Sequence, residues 1–95
     1  MITSKQRAEL RKHANTLETV YYIGKDGIDE QVEKGVGEAL KARELIKLKV
    51  QENSLYSAKE ACAELCEKLS AEPVQVIGKR FVIYKRNKKI DAYGI

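Results

Sequence analysis

The sequence predicts an α/β fold ordered α-β-α-β-α-β-β, with four strands in one mixed sheet. Three observations lead there. Two capping-box patterns, Thr3-Ser4-Lys5-Gln6 and Ser57-Ala58-Lys59-Glu60, each open a stretch whose apolar residues recur at helical spacing. Runs rich in β-branched and aromatic residues alternate with the helical stretches. The last two such runs are separated only by Gly78-Lys79, a hairpin signature with glycine leading.

The first helix is expected from about Ser4 to Asn15, with Leu10, Ala14 and Leu17 forming a narrow apolar stripe between basic faces. Thr19-Val20-Tyr21-Tyr22-Ile23 then reads as a short buried strand that stops at Gly24. Asp29 can cap a second helix whose inward stripe is Val32, Val36, Ala39 and Leu40. Gly35 and Gly37 weaken that helix by about 1 kcal/mol each relative to alanine, and so mark close backbone packing. In Leu45–Val50, alternation puts Ile46, Leu48 and Val50 on one face and Lys47 and Lys49 on the other, a half-exposed strand with a basic outer face. Ala58, Ala61, Cys62, Leu65 and Leu69 trace one face of a third helix, ended by Glu72-Pro73. Val74–Ile77 and Arg80–Tyr84 complete the chain as a hairpin. The two βα units favour a right-handed crossover, and the hairpin adds an antiparallel pair, so the sheet is expected to be mixed.

Ninety-five residues, 34% charged and 43% hydrophobic, suit one small domain over residues 1–95, with a basic and mobile tail from about 85 to 95. No stretch approaches the roughly 20 apolar residues that span a bilayer, and the opening residues carry no apolar signal segment, so a cytoplasmic monomer without membrane contact is expected. The net charge of +4 is unevenly placed. Residues 1–17 carry Lys5, Arg7, Arg11 and Lys12 against Glu9, and residues 79–95 carry six bases against Asp91. Between them the bases are outnumbered by acids, eight to twelve. Basic ends around an acidic middle suit a polyanion-facing edge, or equally a solvated, solubilising tail.

Enzymatic patterns fail on inspection. Gly24-Lys25 is followed by Asp26 and Gly78-Lys79 by Arg80, where a P-loop needs Ser or Thr to hold magnesium. Gly35-Val36-Gly37 lies inside a helical pattern instead of after a strand, which removes the dinucleotide reading. Cys62 and Cys66 are four apart on one helix, but a structural zinc needs four ligands and His13 is the chain's one histidine. The cysteines read as core fillers. No catalytic residue, metal, cofactor or small-molecule substrate is therefore expected.

Gly24-Lys25-Asp26-Gly27 joins a strand to a helix with glycine at both ends. Such a loop lets a bulky polymer approach without a Cβ in the way, the following helix start offers amide donors to an anion, and Lys25 adds charge. A Gly-x-x-Gly loop of this kind clamps the nucleic-acid backbone in KH domains. The same four residues also serve as a plain βα connection whose glycines only satisfy turn geometry. Asp26, Asp29, Glu30 and Glu33 crowd the helix start and would repel phosphate unless they point away from Lys25.

Three segments, Tyr22–Ile28, Glu44–Val50 and Val74–Lys85, resemble in order the CRM domain (chloroplast RNA splicing and ribosome maturation) in its free-standing bacterial, YhbY-like form. The resemblance runs from about Thr3 to Lys89. It implies a four-stranded mixed sheet similar to that of the C-terminal domain of translation initiation factor three. It also implies RNA binding through the Gly-x-x-Gly loop, and association with ribosomal RNA in precursors of the large subunit. The expected RNA-binding residues are Gly24, Lys25, Asp26 and Gly27 in the loop, Lys47 and Lys49 on the sheet, and Lys79, Arg80, Lys85, Arg86, Lys88 and Lys89 in the hairpin and tail. Lys5, Arg7, Arg11 and Lys12 on the first helix would widen that track. Tyr21, Tyr22 and Tyr84 read as core or sheet residues instead of base platforms, so backbone and shape recognition is expected. The rival from another class is an adaptor that docks on a ribosomal protein through the acidic middle of the chain.

Overall fold

Thr3 opens helix α1 (Ser4–Ala14) by accepting a hydrogen bond from the Gln6 amide at 3.1 Å, while the Gln6 side chain accepts from the Thr3 amide at 2.8 Å. Strand β1 (Thr19–Ile23) leads through the glycine loop to helix α2 (Glu30–Arg43), whose cap is Asp29, accepting from Val32 N–H at 2.9 Å. Strand β2 (Leu45–Val50) follows, then helix α3 (Ala58–Leu69) behind the Ser57–Glu60 capping box, then strands β3 (Glu72–Ile77) and β4 (Arg80–Tyr84). These come from a computed structural model that describes residues 2–90 and 92–94; Asp91, counted in the tail's charge, lies outside them.

The sheet order is β1-β2-β4-β3, with β1 and β2 parallel and β4 antiparallel to both of its neighbours, which is the expected mixed sheet. Helices α2 and α3 cover one face. Ile23, Ile46, Leu48, Val50, Phe81 and Ile83 from the strands pack there with Val36, Leu40, Ala61, Cys62 and Leu65. Leu10 and Ala14 of α1 pack on the other face with Leu45, Val74, Val82 and Tyr84.

Three details differ from expectation. β1 is not a buried strand: it lies at the sheet edge, its exposure alternates, and Tyr22 stands 53% exposed. β2 is not apolar on one face alone, because α1 covers Leu45 on the side that carries Lys47 and Lys49. Glu72-Pro73 does not end α3 but begins β3; the helix stops at Leu69, with Ser70 in the left-handed region at φ 56°. Proline is tolerated in β3 because the strand is an edge strand, and the register shifts between Pro73 and Gln75. Gly35 does mark close packing, since a Cβ there would lie 2.8 Å from the Tyr21 ring.

Glu44 links the C-terminal segment to the fold. It is fully buried between α2 and β2 with φ 63°, an uncommon conformation for a residue with a side chain. Its N–H donates to Leu40 O at 2.8 Å and its carbonyl accepts from Lys85 N–H at 2.9 Å. Its carboxylate accepts from the backbone amides of Asn87 and Ala92, and the Asn87 side chain donates to Lys41 O at 2.7 Å. The stretch expected to be a mobile tail is thus tethered to the end of α2. Among the described residues, no helix is long and apolar enough to cross a membrane.

Candidate nucleic-acid interface

Strand directions bring three connections to one end of the sheet. β1 and β2 both finish there, β3 finishes there, and β4 starts there. The loop Gly24–Gly27, the segment after Val50 and the Gly78-Lys79 turn are therefore neighbours at that end. Val50 N–H donates to Lys79 O and Gln51 N–H to Ile23 O, both at 2.8 Å, which ties the connections together.

Within the loop, Gly27 N–H closes onto Gly24 O at 3.1 Å, forming a turn that leaves Lys25 and Asp26 exposed at its tip. Gly27 has φ 70° and is buried against Tyr56, whose hydroxyl sits 3.3 Å from both Glu64 carboxylate oxygens. Burial, and then the Glu64 charge, push the Tyr56 hydroxyl above its usual pKa. Of the donors expected for an anion, Gly27 N–H and Val32 N–H are already taken, the second by Asp29. Two carboxylates of the crowded helix start also have their own partners, Asp29 as the cap and Glu33 beside Lys68 of α3 at 3.7 Å.

Paired residues on neighbouring strands project to the same face. Tyr22 pairs with Lys49, Lys49 with Arg80, and Arg80 with Ile77, making one row across all four strands at the loop end. One step further in, Lys47 pairs with Val82 and Val82 with Gln75. This face is the one that α1 covers, but α1 reaches only the far half. Its C-cap Asn15 borders a hollow shared with Lys47, Gln75, Ile77 and Arg80. Lys47, Lys49, Arg80, Tyr22 and Ile77 therefore share an open half-sheet. Lys79 at the turn donates to Glu52 at 2.8 Å and holds that carboxyl below the usual carboxylate range.

Lys85, Arg86, Lys88 and Lys89 follow the far end of β4 and gather around Lys41 and Asn87. They are displaced from Arg80 by at least the length of β4, about 13 Å at 3.3 Å per residue. Between these two basic groups runs α1. Its start lies by β3 and β4, where Arg7 donates to Pro73 O at 2.9 Å and Gln6 shares a hollow with Lys85 and Arg86. Lys5, Arg11 and Lys12 are exposed along it, with Lys12 3.5 Å from Glu9. The expected bases thus form a loop-end group and a tail-end group, bridged by α1, instead of one patch.

Cys62 and Cys66 are buried free thiols in the α3 stripe. Its hydrogen bond to Cys62, and then burial, push the Cys66 thiol up, away from nucleophilic use. The residue missed by sequence reasoning is Tyr22. Its neighbour Tyr21 turns toward α2, and alternation alone sends Tyr22 to the open face.

The class defined here is a small α/β domain whose four-stranded mixed sheet is packed by two helices on one face, short of the β3 edge, and is half open, with basic residues, on the other. The chain belongs to the CRS1/YhbY (CRM) domain family, whose model matches residues 2–85. It is 36% identical over 89 residues to the Bacillus subtilis (strain 168) Probable RNA-binding protein YqeI, covering 94% of this chain and 93% of that protein. It is 40% identical over 89 residues to the Probable RNA-binding protein MJ0652 of Methanocaldococcus jannaschii, covering 88% of this chain but 63% of that longer protein. The solution structure of SAV1595 from Staphylococcus aureus superposes with a TM-score of 0.70 at 40% identity, over 92% of this chain and 91% of that one.

Proposed function

We propose that this chain is a non-enzymatic, cytoplasmic RNA-binding protein that acts as a monomeric single domain on ribosomal RNA in precursors of the large ribosomal subunit. The observation that carries this reading is the meeting of the Gly24–Gly27 loop, the Gly78-Lys79 turn and the Lys47–Lys49–Arg80 bases at one end of the sheet. Lys25 and the backbone beside Gly24 hold the RNA chain at the loop, and Lys47, Lys49 and Arg80 neutralise the phosphates that follow, while Lys79 is engaged by Glu52 at the turn. Lys85, Arg86, Lys88 and Lys89, with Lys5, Arg7, Arg11 and Lys12 on α1, extend the field to longer RNA. Support for the ligand comes from the relatives' names, and support for the ribosomal target comes from the family resemblance.

The test is a salt titration with ribosomal RNA fragments. Four contacts, those of Lys25, Lys47, Lys49 and Arg80, give a slope of log affinity against log salt of about −2.8 to −3.6. Lys25→Asp should weaken binding several-fold and flatten that slope; unchanged affinity and slope would remove the loop from the mechanism. Crosslinking in cells with sequencing of bound RNA checks the target. Reads spread evenly over all transcripts would defeat the ribosomal claim, and recovery of one protein partner after nuclease treatment would favour the adaptor.

A further inference from the structure

Tyr22 is a large ring left 53% in water on a strand whose inward neighbours, Tyr21 and Ile23, already pack with the core. Tyr22 itself belongs to neither core cluster. We infer that Tyr22 is a stacking platform for an unpaired base, so that the open half-sheet takes a single-stranded RNA segment. This rests on the RNA-binding reading and narrows its substrate.

The row from Tyr22 through Lys49 and Arg80 to Ile77 spans roughly 14 Å, three strand spacings. Its middle is cationic and its two ends are exposed hydrophobic surface, Ile77 being 63% exposed. Lys49 and Arg80 stand between two hollows. One is bounded by Tyr22, Lys49, Gln51, Asn53 and Lys79, the other by Asn15, Lys47, Gln75, Ile77 and Arg80. Glu52 is the one carboxylate among the residues lining either hollow, and Lys79 neutralises it. A phosphate chain lying over Lys49 and Arg80 places a base against the Tyr22 face, while the amides of Gln51 and Asn53 offer donors and acceptors to its edge. In a duplex the bases already stack on one another and present no free face, so the ring is of use only to an unpaired strand.

The test uses the full chain and three probes of equal length: a single-stranded 12-nucleotide adenylate RNA, the same length as a blunt RNA duplex, and an abasic oligonucleotide. Tyr22→Ala should weaken the single-stranded RNA by about 5- to 150-fold, the range that loss of one base–aromatic stack gives, with the salt slope unchanged. Tyr22→Phe should stay within about two-fold of wild type. The chain contains no tryptophan, so the introduced indole of Tyr22→Trp is a unique reporter. Its emission should be quenched by the adenylate strand and not by the abasic one. Equal affinity of wild type and Tyr22→Ala for the single strand, or tighter binding of the duplex than of the single strand by wild type, would overturn the stacking role while leaving RNA binding intact. A wild type that binds none of the three probes would overturn both.

Discussion

Gly27 has a φ of 70°, and a Cβ built there would lie 2.7 Å from the Tyr56 ring; Gly24 has no positive φ, and its Cβ would meet only the movable end of Gln51, at 2.9 Å. The left-handed conformation alone costs an L-residue about 1–2 kcal/mol, and the ring contact adds to it. Gly27→Ala should therefore lower the unfolding free energy by about 2 kcal/mol or more in a urea titration. Gly24→Ala should change it by less than about 0.5 kcal/mol, yet weaken RNA binding several-fold if the polymer passes close to that backbone. A Gly24→Ala chain that folds and binds as wild type would separate the glycine from the site. At this scale the sequence was legible wherever the cause is local. Thr3, Asp29 and Ser57 are the caps because each side chain bonds an amide three residues on. Tyr22 was not legible as a surface residue, because alternation sends it opposite Tyr21 but does not tell that α1 leaves that half of the face uncovered.

Between elements, Glu44 is the least expected joint. The sequence offers no glycine or asparagine at the end of α2, and Glu44 takes a positive-φ position there, where its backbone and both carboxylate oxygens are engaged. Removing the carboxylate leaves the amides of Asn87 and Ala92 without their acceptor; both hydrogen bonds are only part-buried, so each loss costs about 1 kcal/mol. Glu44→Ala should cost about 1–3 kcal/mol and speed hydrogen exchange at those two amides, while Glu44→Gln, which keeps one acceptor, should lose less. Protection at Asn87 and Ala92 that survives Glu44→Ala would show that the tail is held elsewhere. All seven elements were legible from capping, period and turn chemistry. The covering of the Leu45 face by α1 was not, because Leu45, Val74, Val82 and Tyr84 lie far from Leu10 in the chain and no local period links them.

Over the whole molecule, the fold places its two basic groups beyond the two ends of β4, at least about 13 Å apart. Such an arrangement grades the bases by role. Lys47, Lys49 and Arg80 to Glu together should abolish binding of a short RNA, whereas Lys85, Lys88 and Lys89 to Glu should cost less than about three-fold on the same probe and more on a longer one. Equal losses on the short probe would mean that the ends do not divide the work. The placement of α1 has a further consequence, for the order in which the chain can fold during synthesis. Leu10 and Ala14 pack on Leu45, Val74, Val82 and Tyr84, three of which lie some sixty to seventy residues later in the sequence. Helix α1, made before the strands it packs on, is thus among the last elements of this domain to find its full seat. Until β4 has emerged, its apolar stripe lacks Val82 and Tyr84 and can meet only Leu45 and Val74, so a nascent chain carries a basic helix with an incompletely covered apolar face while β2 and β3 are made.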